Sequence, residues 1–215
     1  MTDKLDVKKD LDAYRAQRGR FRVLDMPDLR YLMIDGHGDP NTSPAFTQAV
    51  EALYPVAYTL KFASRRELGR DYVVPPLEGL WWADDMAAFT GARDKSRWDW
   101  TMLLLVPDGI GGELVDAAIA QVGTKKERPA RLDDVRFETL SEGRCVQTLH
   151  VGSFDDEAPV LAQMHDEFIP GNGLRMAGKH HEVYLSDFRR VPPEKQRTIL
   201  RQPVAPVDGD AARHA

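Results

Sequence analysis

Arg30-Tyr31-Leu32-Met33-Ile34-Asp35-Gly36-His37-Gly38 returns, in pattern more than in letters, as Arg144-Cys145-Val146-Gln147-Thr148-Leu149-His150-Val151-Gly152. Each stretch opens on an arginine, runs on as an apolar strand and closes on a glycine that starts a turn. The surroundings repeat too. A shorter strand and a turn precede each copy: Phe21–Leu24 with Met26-Pro27-Asp28, and Val135–Leu140 with Ser141-Glu142-Gly143. A proline-led helix follows each copy. Pro44 opens the first after Thr42 or Ser43 as cap, with Phe46, Val50, Leu53, Ala57 and Leu60 at helical spacing to about Leu68. Pro159 opens the second, which places Val160, Met164 and Phe168 on one face until Pro170-Gly171-Asn172-Gly173.

A strand comes next in each copy, and each holds a glutamate: Leu77-Glu78-Gly79-Leu80-Trp81 aligns with His181-Glu182-Val183-Tyr184-Leu185. The first copy adds a strand over Trp98–Val106 and an amphipathic helix over Gly111–Val122, and a charged linker, Thr124–Leu132, joins the copies. The expected fold is therefore α+β: two pseudo-symmetric strand-helix-strand-strand modules about a pseudo-twofold axis. Antiparallel sheets would carry helices on one face and a ligand pocket on the other, where the halves meet. The boundaries read as a lead-in over 1–20 and a domain over 21–204 with halves of about 21–123 and 132–190. The stretch after Val191-Pro192-Pro193 reads as a short helix or tail, and 205–215 as disordered.

Composition narrows the function. The 215 residues, 42% hydrophobic, suffice for one sizeable core. With Lys+Arg 29 against Asp+Glu 34 the net charge is −5, which argues against a nucleic-acid partner held through phosphates. The lone Cys145 fits a reducing compartment, and it sits in a core strand, where a thiol packs as an inert group. The charged N-terminus is unlike a signal peptide, and Trp100–Val106 is far too short to span a bilayer. A cytoplasmic protein with no membrane partner is expected; the oligomeric state stays open.

Strand alternation sorts the chemistry. Glu182 and Tyr184 share one face of their strand, and Val183 and Leu185 share the other. The aliphatic pair suits the helix-packed core, which would turn Glu182 and Tyr184 to the opposite surface. Likewise Glu78, Leu80 and Trp82 lie opposite Leu77, Gly79 and Trp81, and Gly79 would admit a close helix. In this register Glu78 and Glu182 line one concavity. A carboxylate among aromatics can hold a cationic ligand with their π faces. It can also serve as a general base once desolvation raises its pKa. An isolated strand glutamate is more often simply solvated; the repeat and the neighbouring Trp81, Trp82 and Tyr184 weigh against that here.

Other constellations carry less. His180 and His181 are strand neighbours on opposite faces, so they and His165 make no ready metal site. Gly36-His37-Gly38 and Gly109-Ile110-Gly111-Gly112 lack the spacing of a phosphate loop. Trp98 and Trp100 read as packing rather than nucleic-acid stacking, since few basic residues interleave with them; Trp100 also joins the candidate ligand-binding residues.

Pro75-Pro76-Leu77-Glu78-Gly79-Leu80-Trp81-Trp82 and His180-His181-Glu182-Val183-Tyr184-Leu185-Ser186-Asp187 resemble the GyrI-like small-molecule-binding proteins, from about Phe21 to Arg190. The resemblance implies two strand-helix-strand-strand modules, in agreement with the repeat. It implies a ligand-facing glutamate at Glu182 and an aromatic wall at Tyr184 and at Trp81 or Trp82. Phe188 departs from it, where a proline is expected. Family members include effector-binding domains that hold lipophilic cations and stand-alone hydrolases of cyclopropanoid genotoxins. Two functions are thus implied. One is hydrolysis of such electrophiles, with Glu182 activating water and Tyr184 steadying the developing oxyanion, without metal or cofactor. The other is non-catalytic binding or sensing of lipophilic or cationic drugs.

Overall fold

The computed structural model describes residues 4–83, 94–187 and 189–207. The chain divides into two compact units, Met1–Arg15 with Leu29–Leu140, and Ala16–Asp28 with Ser141–Ala215. Both are antiparallel sheets with helices, the α+β class expected from the repeat.

In the first unit the apolar run around residue 33 becomes β2 (Leu29–His37), which pairs with β4 (Asp99–Val106) on one side and β5 (Arg136–Leu140) on the other. Strand β3 (Leu77–Trp82) extends the sheet beyond β4, giving the order β3-β4-β2-β5. A short N-terminal turn, α1 (Val7–Asp10), precedes it. The long helix α2 (Pro44–Glu67) starts at the proline whose fixed φ suits a first turn, and it buries Val50, Leu53, Ala57 and Leu60. Helix α3 (Gly112–Gly123) buries Val115, Ala118 and Val122 at the same period.

The second unit repeats the plan. Strand β6 (Arg144–Val151) lies between β1 (Arg22–Asp25) and β9 (Arg197–Pro206), and β8 (His180–Tyr184) lies beyond β9. The order β8-β9-β6-β1 mirrors β3-β4-β2-β5 strand for strand. Helix α4 (Ala158–Ala162) widens into a π-helical stretch, Gln163–Phe168, and ends in the turn Ile169–Gly171. Met164 and Ile169 from this helix pack on Val146, Leu200 and Val204 of the sheet, and this is the unit's core.

Three expectations need correction. The halves do not divide as 21–123 and 132–190: β1 pairs with β6 in the second unit and β5 with β2 in the first, so each copy's leading strand sits in the other's sheet. The lead-in is not separate from the units: it holds the short helix Val7–Asp10, and Val7, Ala13 and Tyr14 are buried in the first unit. The stretch from Pro193 makes one short 3-10 turn, Pro193–Lys195, as one of the alternatives had it, but then runs on as the central strand β9 and not as a tail. Pro203 concealed it, since proline argues against an interior strand. Here Pro203 falls between two partners: β8 pairs with Thr198–Arg201, and a further strand, β7 (Leu174–Met176), pairs with Val204–Pro206. Along that edge no ladder bond asks for the missing N–H. Phe188 and residues 208–215 lie outside the described residues.

Gly36 is set by packing. Its Cα faces the indole of Trp100, and a Cβ there would stand 2.0 Å from a ring carbon of that fully buried residue. Gly36→Ala is expected to lower the thermal midpoint through overpacking of roughly 1–3 kcal/mol. Thermal unfolding checks it; an unchanged midpoint would mean that the indole has room to move.

Candidate functional site: the Glu182–Tyr184 pair

The face on which Glu182 stands follows from strand register. Glu182 lies opposite Leu200, and Leu200 lies opposite Thr148, so the three share one side of the sheet. Leu200 is packed on the helix through Met164 and Ile169. Glu182 and Tyr184 therefore lie on the helix-bearing face, not on the opposite one as alternation alone suggested. The aliphatic signal failed because β8 is buried on both sides: His181 and Val183 on one, His180 and Tyr184 on the other. Where both faces are dry, apolar residues do not mark the helix side.

The repeat register shifts by one as well. Ile34, Met102 and Gly79 form one row, and Thr148, Leu200 and Glu182 form the matching row. Glu182 thus corresponds to Gly79, Tyr184 to Trp81, and Glu78 to His181. A slip of one residue reverses every side chain. Glu78, Leu80 and Trp82 lie on the face of their sheet away from α2, and Trp81 and Trp100 lie on the face that α2 covers. There Phe46 of α2 stacks on Trp81 at 6.3 Å and meets Trp100 edge-on at 5.4 Å, while Trp98 meets Trp81 at 5.8 Å. Trp100 and Leu80 are buried, and Trp82 is half-buried.

Within the second unit, the Tyr184 hydroxyl donates to Glu182 Oε2 at 2.8 Å. The Phe154 ring stands edge-on to Tyr184 at 5.6 Å and limits its rotation. His180 lies one row along, with Nε2 3.7 Å from Glu182 Oε1. Burial pushes its imidazole down to about 3, aided by His165 and His181. Gln202 and Glu142 oppose this only weakly, and the Gln202 side chain lies alongside without making a well-formed hydrogen bond. His180 is therefore neutral at any ordinary pH, and its contact with Glu182 is not an ion pair. Glu182 is the most exposed residue of β8, with 14% of its side chain exposed. A carboxylate oriented by a hydroxyl donor and still partly exposed is what a base or an anchor for a polar ligand atom requires.

Glu78, by contrast, is wholly enclosed: the hydroxyls of Tyr14 and Tyr31 both donate to its carboxylate, the latter at 3.3 Å. The bond from Tyr14 ties the N-terminal segment to β3. Tyr14→Phe is expected to cost about 1–3 kcal/mol, since it takes a donor from a buried acceptor. Chemical denaturation checks it, and an unaltered midpoint would show that the tie carries no stability.

The network around His181 was missed at the sequence level. His181 Nδ1 meets Glu142 Oε1 at 2.9 Å, Arg201 donates to Glu142 Oε2 at 3.2 Å, and Arg201 also donates to Gln147 Oε1 at 3.2 Å. Glu142 read as an ordinary turn residue, and Arg201 lay in the supposed tail, so no local pattern joined them. Cys145 beside them is inert, because burial pushes its thiol up to about 12.

Among the described residues no group of three or more His, Cys, Asp or Glu is placed to hold a metal ion, and no helix is long and apolar enough to cross a membrane. Two open hollows are lined by residues other than Glu182 and Tyr184. One, of about 230 Å³, is bounded by Ser64, Arg70 and Tyr72; the other, of about 370 Å³, by Arg18, Phe21, His150 and Gln163. The first also holds Asp71 and Tyr72, but there the carboxylate accepts from Lys61; the hydroxyl-to-carboxylate bond of Tyr184 and Glu182 selects the site by chemistry and not by volume.

The sequence profile of the GyrI-like small molecule binding domain matches residues 20–205, and the chain belongs to this family. Two similar solved structures come from Listeria innocua. One, described as an uncharacterized conserved protein, is 37% identical with a TM-score of 0.85. The other, described as a hydrolase, is 36% identical with a TM-score of 0.81; each match covers 94% of this chain and 100% of the other. The C-terminal domain of EcmrR shares the fold alone, at 10% identity and a TM-score of 0.53 over 87% of this chain and 98% of that one. No protein among the curated ones matches.

Proposed function

We propose that this small-molecule-binding chain is a cytoplasmic, cofactor-independent hydrolase that opens cyclopropanoid electrophiles, with Glu182 as general base. The observation that carries this reading is the Tyr184–Glu182 contact on the most exposed residue of β8. The similarity to a Listeria protein described as a hydrolase supports it.

The step balances without a metal. Water lying against Glu182 Oε1 gives its proton to the carboxylate as its oxygen bonds to a cyclopropane carbon. The strained C–C bond breaks, and its electron pair passes through the fused dienone to the carbonyl oxygen, which becomes a phenolate and takes a proton from solvent. General-base assistance of this kind contributes on the order of 10²–10⁴-fold. Tyr184 has a single phenolic proton, and it is already given to Glu182. Its role in this reading is to hold the base in place, not to meet the oxyanion. The Trp81, Leu80, Trp82, Trp100 and Glu78 assignments divide by face within the first unit: Trp81 and Trp100 share the helix side of their sheet, where both are buried, and Leu80, Trp82 and Glu78 share the other.

The test is to incubate the purified protein with a cyclopropane-fused dienone and follow ring opening by the product's phenol absorbance. Catalysed opening supports the reading. Saturable binding without turnover would instead make the protein a binding or sensing module for lipophilic or cationic compounds.

A further inference from the structure

His180 is a buried residue that the proposed step leaves unused, and it is the least satisfied polar group near the site. Neither of its ring nitrogens has a hydrogen-bond partner among the described residues, and the same holds for Nε2 of the adjacent His165. A buried polar atom left unpaired costs about 1–3 kcal/mol, and such costs persist where the group has a task in another state of the protein. The fold also orients this residue. The widened π-helical stretch brings His165 edge-on to His180, with ring centroids 6.1 Å apart and planes at 83°. π-Helical turns of this kind recur at functional sites.

We propose that His180 is a positioning residue for Glu182: its neutral imidazole donates Nε2–H to Glu182 Oε1 when a ligand fills the site. This rests on the general-base reading above. Tyr184 holds one carboxylate oxygen, and His180 holds the other. The present 3.7 Å separation is longer than a hydrogen bond and shortens to one on loading, as catalytic contacts often tighten in the complex. A carboxylate oxygen accepts more than one hydrogen bond, so Oε1 can still take the proton from water. Neutrality is what makes the contact useful. An imidazolium would lower the basicity of Glu182 through its charge, whereas a neutral donor fixes the carboxylate at a smaller loss of basicity. The titratable groups around the ring are Tyr184 on the same strand, His165 from the π-helical stretch, and His181 with Glu142; none of them forms an ion pair with His180.

Two measurements test this. In the first, His180→Phe and His180→Gln are compared by kcat, KM and the pH dependence of kcat/KM. His180→Phe is expected to lose roughly 10- to 100-fold in kcat with KM nearly unchanged, the size of effect that misplacing a reacting group produces. Its acidic limb should move to higher pH, because the carboxylate has lost a donor. His180→Gln, which keeps a neutral N–H donor, should recover most of the rate. In the second, ¹⁵N-histidine NMR of the wild-type chain, with and without the dienone, should find the proton of His180 on Nε2 and a shifted resonance in Glu182→Gln. Wild-type kcat and pH profile in His180→Phe would overturn the proposal, as would a proton on Nδ1 or an imidazolium. Should Glu182→Gln keep the full rate, the general-base reading fails by itself; the tautomer measurement still decides whether His180 supports that carboxylate.

Discussion

Glu182→Gln is expected to lower kcat for cyclopropane opening by about 10²–10⁴-fold while the protein keeps its fold and its ligand affinity. The amide is nearly the shape of the carboxylate, so what is removed is the basic oxygen and not the packing. The substituted amide can still accept from Tyr184, which preserves the local geometry. KM should stay within a few-fold, since a group that acts mainly in the transition state affects kcat and kcat/KM together. Tyr184→Phe should show a smaller loss, about ten-fold, because the base is loosened but retained. Single-turnover kinetics and circular dichroism on each variant check both expectations. Full activity in Glu182→Gln would remove the general-base reading.

The second large effect is on stability. Arg201→Ala is expected to destabilise the fold by about 3–5 kcal/mol, because it breaks a buried pair and strands the partner charge. Arg201 is 1% exposed and the Glu142 side chain 5%. For Glu142, burial alone would raise the carboxyl pKa; the attraction and hydrogen bonds of His181 and Arg201 overcome it and hold the group down at about 2. The sign follows directly. A carboxyl whose folded pKa lies below its unfolded value near 4.5 contributes stability that is fully present above that value and lost as pH falls towards 2. The wild type should therefore weaken between about pH 4.5 and 2, and Glu142→Gln should flatten that part of the curve. Replacing the cluster with apolar residues of matching volume would behave differently from removing one member, and could leave stability unchanged. Urea unfolding at pH 7, 4 and 3 measures these outcomes. A wild-type acid limb unaltered by Glu142→Gln would show that the pair contributes nothing net.

The parts legible in the sequence are those set by local period. The turn-bounded apolar runs that became Leu29–His37 and Arg144–Val151, the proline-led helices and the strand at 77–82 all stand where the pattern put them. Partnership was not legible. No local feature of residues 22–25 says that they pair with 144–147, about 120 residues on, instead of with the strand that follows them. Pro203 hid the central strand of the second unit, and its tolerance there depends on which neighbours end beside it. The pair Glu182 and Tyr184 could be placed together from alternation, and they are hydrogen-bonded. Which side they occupy depended on β9, the strand that the reading lacked. With Leu200 identified as their helix-packed neighbour, the face and the repeat register follow without further assumption.

The exchange of leading strands between the two sheets bears on how the chain can be made and divided. Strand β1 leaves the ribosome more than a hundred residues before its partner β6, and the remaining strands of that sheet follow later still. The second unit therefore stays incomplete until those strands emerge, and its closure is a long-range event of the kind that slows folding. Cutting the chain at the Ser141–Gly143 turn does not yield two autonomous halves. The N-terminal fragment would carry the edge strand of the C-terminal one and lend it across the break, so the fragments would have to reassemble by complementation to close the second sheet.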